Sequence, residues 1–286
     1  MKRLLLLLLL CGSLAGTALA DGARTATAPV EASMLVTGTI VVAPDGSVSS
    51  YAVDHPEKLP PAVVSVIGKN APRWTFKPVL LDGKPVTAKA SMNLRIVATP
   101  MQQKGSYTVA IRGASFGQGV PGESISKDVR TPPRYPVGAI LDRVSGTVYL
   151  VVKVGRQGQV EDVAAEQVNL RVLGRPFEMA RWRKELAEAS VAAGRNWTFH
   201  PPVTGEHAND PYWIARIPIA FNIRPMGGPS PRPSYGQWQS YVPGPRALIP
   251  WLDEKQLAAS AVDAVPVGGI EPLGSGLQLT SGLKGS

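Results

Sequence analysis

Apolar residues recur along this chain with two different periods, and the places where the period switches delimit its elements. From Met34 to Val53, "MLVTGTIVVAPDGSVSSYAV" runs as a β-rich stretch, breaks at Pro44-Asp45-Gly46, and resumes at Val48, Tyr51 and Val53. Turn chemistry between two such runs predicts a hairpin. "LPPAVVSVIGKN" predicts a short helix opened by its prolines and stopped at Gly68. Ala88, Ala90, Met92, Leu94 and Ile96 then alternate with Lys89, Ser91, Asn93 and Arg95, so an antiparallel strand with one wet face is expected there.

The same succession returns, more fully, downstream. "TPPRYPVGAILDR" gives a proline-marked lead-in and a helix from Val137. In "GTVYLVVKV", Val148, Leu150, Val152 and Val154 oppose Thr147, Tyr149 and Lys153; Gln157-Gly158 turns the chain and "QVEDVAAEQV" brings it back. From Pro176 to Ala193 the period becomes helical, with Met179, Trp182, Leu186, Ala189 and Ala193 on one face. Pro176 suits the first turn and Gly194 the stop. Arg181–Glu185 and Lys184–Glu188 pair along the outer face, each worth only about 0.3 kcal/mol. In "WIARIPIAFNI", Trp213, Ala215, Ile217, Ile219, Phe221 and Ile223 all point one way.

Both halves therefore run Gly-Thr, strand, turn, strand, helix, Trp-Thr-Phe-x-Pro, closing strand. Trp74, Phe76 and Pro78 match Trp197, Phe199 and Pro201. In extended chain the aromatic pair of each motif faces one side, and each large ring buries on the order of 150–250 Å². The motif is read as a packing device at the seam of helix and sheet, with the proline ending strand pairing. The expected architecture is α+β, in two units at 34–99 and 130–224. Each is an antiparallel sheet of about three strands backed by one or two helices. Residues 100–129 are a connector holding one strand, Tyr107 to Arg112. Residues 225–286, rich in Pro, Gly and Ser, are expected to be a largely disordered tail.

Charge and compartment narrow the function. The net charge is +9, yet Lys and Arg are scattered and interleaved with acids. A nucleic-acid surface concentrates them in a stripe, so no nucleic acid is expected as partner. Lys2 and Arg3, the run Leu4–Leu10, and Ala18-Leu19-Ala20 lay out residues 1–20 as a secretory signal peptide. An uncleaved membrane anchor and a lipoprotein at Cys11 are the alternatives. Cys11 is the single cysteine, so a cleaved chain has no disulfide, thiol nucleophile or cysteine metal site.

No catalytic, cofactor-binding or metal-binding residue is assigned, and no cofactor is expected. Gly113-Ala114-Ser115-Phe116-Gly117 fits a nucleophile-elbow pattern, but the residues after it do not start a helix. His55, His200 and His207 lack a completing set of ligands. The chain is not expected to be an enzyme.

"PPRYP" (132–136), "GTVYLVVKVGRQGQVEDV" (146–163), the long helix, "NWTFHP" and the closing strand together resemble the C-terminal domain of TonB, the energy transducer of Gram-negative envelopes. Residues 34–99 resemble a degenerate second copy. The resemblance implies binding in the periplasm, with a protein or extended peptide, such as an outer-membrane receptor segment, added as a strand. Carried over by position, the receiving residues are Arg134, Tyr135, Arg216, Ile217 and Ile219. Three features depart from the family: Pro132 replaces a frequent Gln, Pro218 interrupts the receiving strand, and residues 21–33 reach at most about 45 Å. The resemblance leaves three functions open: a periplasmic binding protein associated with TonB-type transport, an anchored energy transducer, and an envelope scaffold. A membrane contact belongs only to an uncleaved leader.

Overall fold

The computed structural model describes residues 31–81, 83–103, 105–117, 122–205, 207–223, 235–253, 256, 261–274 and 276–283. The leader read at 1–20 lies outside them. The protein is α+β, with antiparallel sheets and few helices. Among the described residues no helix is long and apolar enough to cross a membrane.

In the first half, Glu31–Val42 (β1) and Val48–Val53 (β2) form the expected hairpin, succeeded by the helix Pro61–Asn70 (α1). A small hairpin, Val79–Leu81 (β3) and Lys84–Val86 (β4), leads to Ala88–Pro100 (β5), which pairs with β1 along its length. The connector supplies a fourth strand, Tyr107–Phe116 (β6), on the free edge of β5. It runs well past the expected limit at Arg112, because a register shift at Arg95/Ile96 lets pairing continue through the glycine. The buried face obeys the alternation: Met34, Val36, Ile40, Met92, Leu94 and Ile96 pack with Val63 and Ile67 of α1.

In the second half, the short strand Ser126–Lys127 (β7) precedes the helix Val137–Leu141 (α2), and Gly146–Gly155 (β8) and Val160–Leu170 (β9) make the next hairpin. Pro176–Gly194 (α3) covers the hairpin, Phe199–His200 (β10) pairs with β7, and Tyr212–Phe221 (β11) closes the sheet beside β8. Gly194 is not a left-handed stop. It is the buried last residue of α3, and a Cβ there would press on Leu150 and Val163 at 3.1 Å, so glycine lets the helix end lie close on the sheet.

The expectation of a disordered tail is corrected for the described residues. Gln239–Tyr241 (β12) pairs with β1, Val242 bridges Leu170 of β9, and Glu271–Pro272 (β13) pairs with β11. Ile249, Leu252 and Leu273 form a third core with Val151 and Ile214. Proline and glycine dominate the composition of this segment, but Tyr241, Ile249, Leu252, Val265, Leu273 and Leu277 are buried against strands laid down by earlier parts of the chain. The sheets accordingly have five and four strands, not about three. Their helix-free faces meet, where Arg95 of β5 reaches the Tyr149 hydroxyl of β8 at 3.5 Å.

The two Trp-Thr-Phe segments are held alike. Phe76 and Phe199 each donate their backbone N–H, at 2.8 Å, to the glycine carbonyl of the neighbouring hairpin turn, Gly46 or Gly158. All four rings are buried; Pro78 is exposed and Pro201 half-buried. Both turn glycines have positive φ, and a Cβ would fall 2.1 Å from the Phe76 oxygen or 2.0 Å from the Phe199 oxygen. Gly158→Ala is expected to cost on the order of 2 kcal/mol, since backbone cannot yield to backbone. Gly46→Ala should cost as much, and thermal melts of the two variants side by side check the equivalence.

The outer flank of each motif is also matched. Beside Trp197, the indole N–H donates to the Thr131 carbonyl at 2.9 Å, and Ile125 fills the core below. Beside Trp74, the indole donates to the Leu283 carbonyl at 3.2 Å, and Leu277 fills the equivalent space. The lead-in missing from the first half is thus provided by residues 277–283, from the far side of the sequence.

Candidate functional site

The residues carried over from the resemblance fall into two groups. Arg134 is exposed just before α2. Tyr135 is half-buried, packs edge-on against Phe221 at 5.1 Å and donates its hydroxyl to the Val144 carbonyl, so it anchors the lead-in. Both stand at the surface end of the second half.

The three strand residues do not form a receiving edge. Arg216 is fully buried on the helix-free face. Its Nε and Nη2 donate to Glu166 at 2.7 and 3.1 Å, and its Nη1 donates to Glu271 at 2.8 Å. Burial opposes its charge, but the hydrogen bonds and charges of the two carboxylates outweigh that and hold the guanidinium protonated more firmly than usual. Arg246 also donates to Glu166 at 2.8 Å, and Ser115 donates to Glu271. Ile217 is buried and Ile219 half-buried, both against the core under α3.

The backbone edge is occupied as well. β13 pairs at Ala215 and Arg216, and Leu273 N–H donates to the Ile214 carbonyl at 2.8 Å. That bond fixes the alternation: even-numbered residues of β11 turn their backbone groups outward. Pro218 therefore withholds a donor from the outer edge and none from the pairing with β8. The alternation of "WIARIPIAFNI" was legible, but not that both of its faces and part of its edge are covered.

Sequence reasoning missed Glu166, Asp263 and Glu271, the buried acids of the inter-sheet zone. Glu166 is one of several polar residues of β9 and no pattern singles it out; the other two lie in the tail, where none marks them either. Asp263 accepts from Asn169 at 3.3 Å and from the Tyr241 hydroxyl, and its backbone carbonyl accepts from Arg95 at 2.9 Å. Ser115 of the elbow-like pattern lies within β6, not at a strand–turn–helix junction. His55 and His207 sit beside Glu57 and Asp210 on the surface, and His200 beside Asp128. Among the described residues no cluster of His, Cys, Asp and Glu is arranged to hold a metal.

Burial is the main cause that pushes the Tyr149 hydroxyl up to about 12, and burial followed by Asp263 raises Tyr241 too. An unfolded phenol keeps a value near 10, so the unfolded chain ionises first as pH rises. The stability linked to Tyr149 is complete below about pH 10 and is lost between about 10 and 12, by roughly 2–3 kcal/mol. Tyr149→Phe is expected to lessen the alkaline loss relative to its own value at pH 8, measured by thermal melts across that range.

Accessible apolar surface lies around α2. Leu141 is 77 % exposed, Val137 71 % and Phe177 63 %. Asp142 accepts from Arg181 and, at 2.7 Å, from the Trp182 indole. Arg181 is one helical turn beyond Phe177, so this ion pair ties the C-terminal end of α2 to the early turns of α3. The Arg175 guanidinium lies over the Phe177 ring, 4.8 Å from its centre. No family model matches this chain, and no curated protein or solved structure does.

Proposed function

We propose that this is an exported, periplasmic, non-catalytic binding protein built from two units that resemble the TonB C-terminal domain. Its partner is a protein or extended peptide of a TonB-type transport system. The resemblance of residues 130–224 and the repeated order of elements support the family reading. The observation that carries the binding reading is the exposure of Val137 and Leu141 on α2 and of Phe177 in the first turn of α3, with Arg134 exposed three residues before α2. Scattered exposed apolar residues are ordinary, whereas a group of them rimmed by charge marks contact surfaces. On this reading the α2 end, and not β11, receives the partner.

A photo-crosslinking residue at Leu141 tests this in intact cells, with Ile217 as the buried control. Discrete adducts from position 141, lost in Arg134→Glu and absent from position 217, are expected. Absence of adducts at both positions sinks the binding reading and favours an envelope scaffold. That second reading draws its support from the tail strands laid over β1, β9 and β11, which leave little edge for a guest.

A further inference from the structure

Where the helix-free faces meet, a cavity of about 630 Å³ opens between the sheets. Arg95, Tyr149, Asn169, Arg171 and Tyr241 line it, with Ser240 at its exposed rim. Sites for small organic molecules commonly run from roughly 300 to 1,000 Å³, apolar with a few convergent polar groups. Leu35, Leu170 and Val265 supply apolar wall here.

The charges on the wall do not cancel. Arg95 has Asp263 beside it, with Nε 3.8 Å from the carboxylate. Among the described residues Arg171 has no carboxylate within ion-pair distance. Its Nη2 donates to neutral oxygens, the Phe221 carbonyl at 2.8 Å and the Asn222 side chain. Its Nε is buried without a hydrogen-bond partner. A buried, unsatisfied donor on a charged group bears its full desolvation penalty. Burial accordingly weakens the proton affinity of Arg171, with Tyr135 and Tyr149 near enough to act on it. Tyr149 accepts from Arg95, and no acceptor for its own proton is found among the described residues. Tyr149 of β8 and Arg171, one residue past the end of β9, thus line one space, each with a donor that lacks an acceptor among the described residues.

We infer that the inter-sheet cavity binds a small oxyanion-bearing molecule, gripped by the Arg171 guanidinium with the Tyr149 hydroxyl as second donor. A guanidinium fork matches the paired oxygens of a carboxylate or phosphate. The site shares no residue with the α2 surface, so either can fail alone.

The full chain is titrated calorimetrically with inorganic phosphate and, separately, with succinate, against sodium chloride at matched ionic strength. Saturable binding of at least one of the two is expected; phosphate alone assigns a phosphorylated ligand and succinate alone a carboxylic acid. Arg171→Gln should weaken binding by about tenfold or more, the scale of one charge-assisted contact. Should that variant not fold, Tyr149→Phe and Ser240→Trp, the latter narrowing the mouth from an exposed strand, must each weaken it. Heat no greater than that of chloride for both anions overturns the inference, as does undiminished affinity in the variants that fold.

Discussion

A chain ending at Leu273 is expected to lose the integrity of its first core while the second keeps its own. The cut removes Leu277 from that core, the carbonyl that receives the Trp74 indole, and the bonds of Lys77 and Thr75 to Gln278, Thr280 and Ser281. Burial of one leucine contributes about 1.5–3 kcal/mol, and an orphaned buried donor costs about 1–3 kcal/mol more. A combined loss of about 2.5–6 kcal/mol results from those two contributions. Hydrogen exchange resolves where it falls: amides of β1 and β5 should lose protection far more than those of β8 and β11. Equal loss in both sheets, or in neither, contradicts the assignment of residues 277–283 to the first half.

Arg216→Ala should be the most damaging single substitution. The guanidinium is wholly inaccessible and bridges Glu166 and Glu271, which are themselves buried. Removing one member of such a group leaves uncompensated charge, at a cost of about 3–5 kcal/mol. Arg246 still reaches Glu166, while Glu271 is left with the neutral hydroxyl of Ser115 in place of a cation. Arg216→Lys should recover part of the loss, because an ammonium supplies charge but not the planar fork. The double variant Arg216→Met with Glu271→Gln should lose less than the alanine single, since Glu166 keeps Arg246 and no uncompensated charge is left at position 271. Urea unfolding measures all three, and a cost under about 1 kcal/mol for Arg216→Ala would show that water reaches the site.

The elements themselves were plain from the residues. The hairpins, α3 with its Trp182–Leu186 stripe, and the closing strands stand where periodicity placed them. Period two, however, reports faces and is silent about edges. Nothing in "WIARIPIAFNI" discloses that β13 lies along Arg216, or that the side bearing Arg216 meets another sheet instead of water. The tail defeated composition for a related reason: Tyr241, Ile249, Leu252 and Leu277 follow no fixed spacing, and the partners that bury them lie far away in the sequence. Of the candidate site, Arg134 is exposed, while Arg216 and Ile217 hold the interior together.

That Trp74 waits for Leu283 has a temporal side. During synthesis the N-terminal sheet emerges first, yet its aromatic pair stays without its final backing until some two hundred further residues have emerged. The half that appears earliest is completed last. Such a chain commits to its finished shape only when two stretches far apart in sequence have come together.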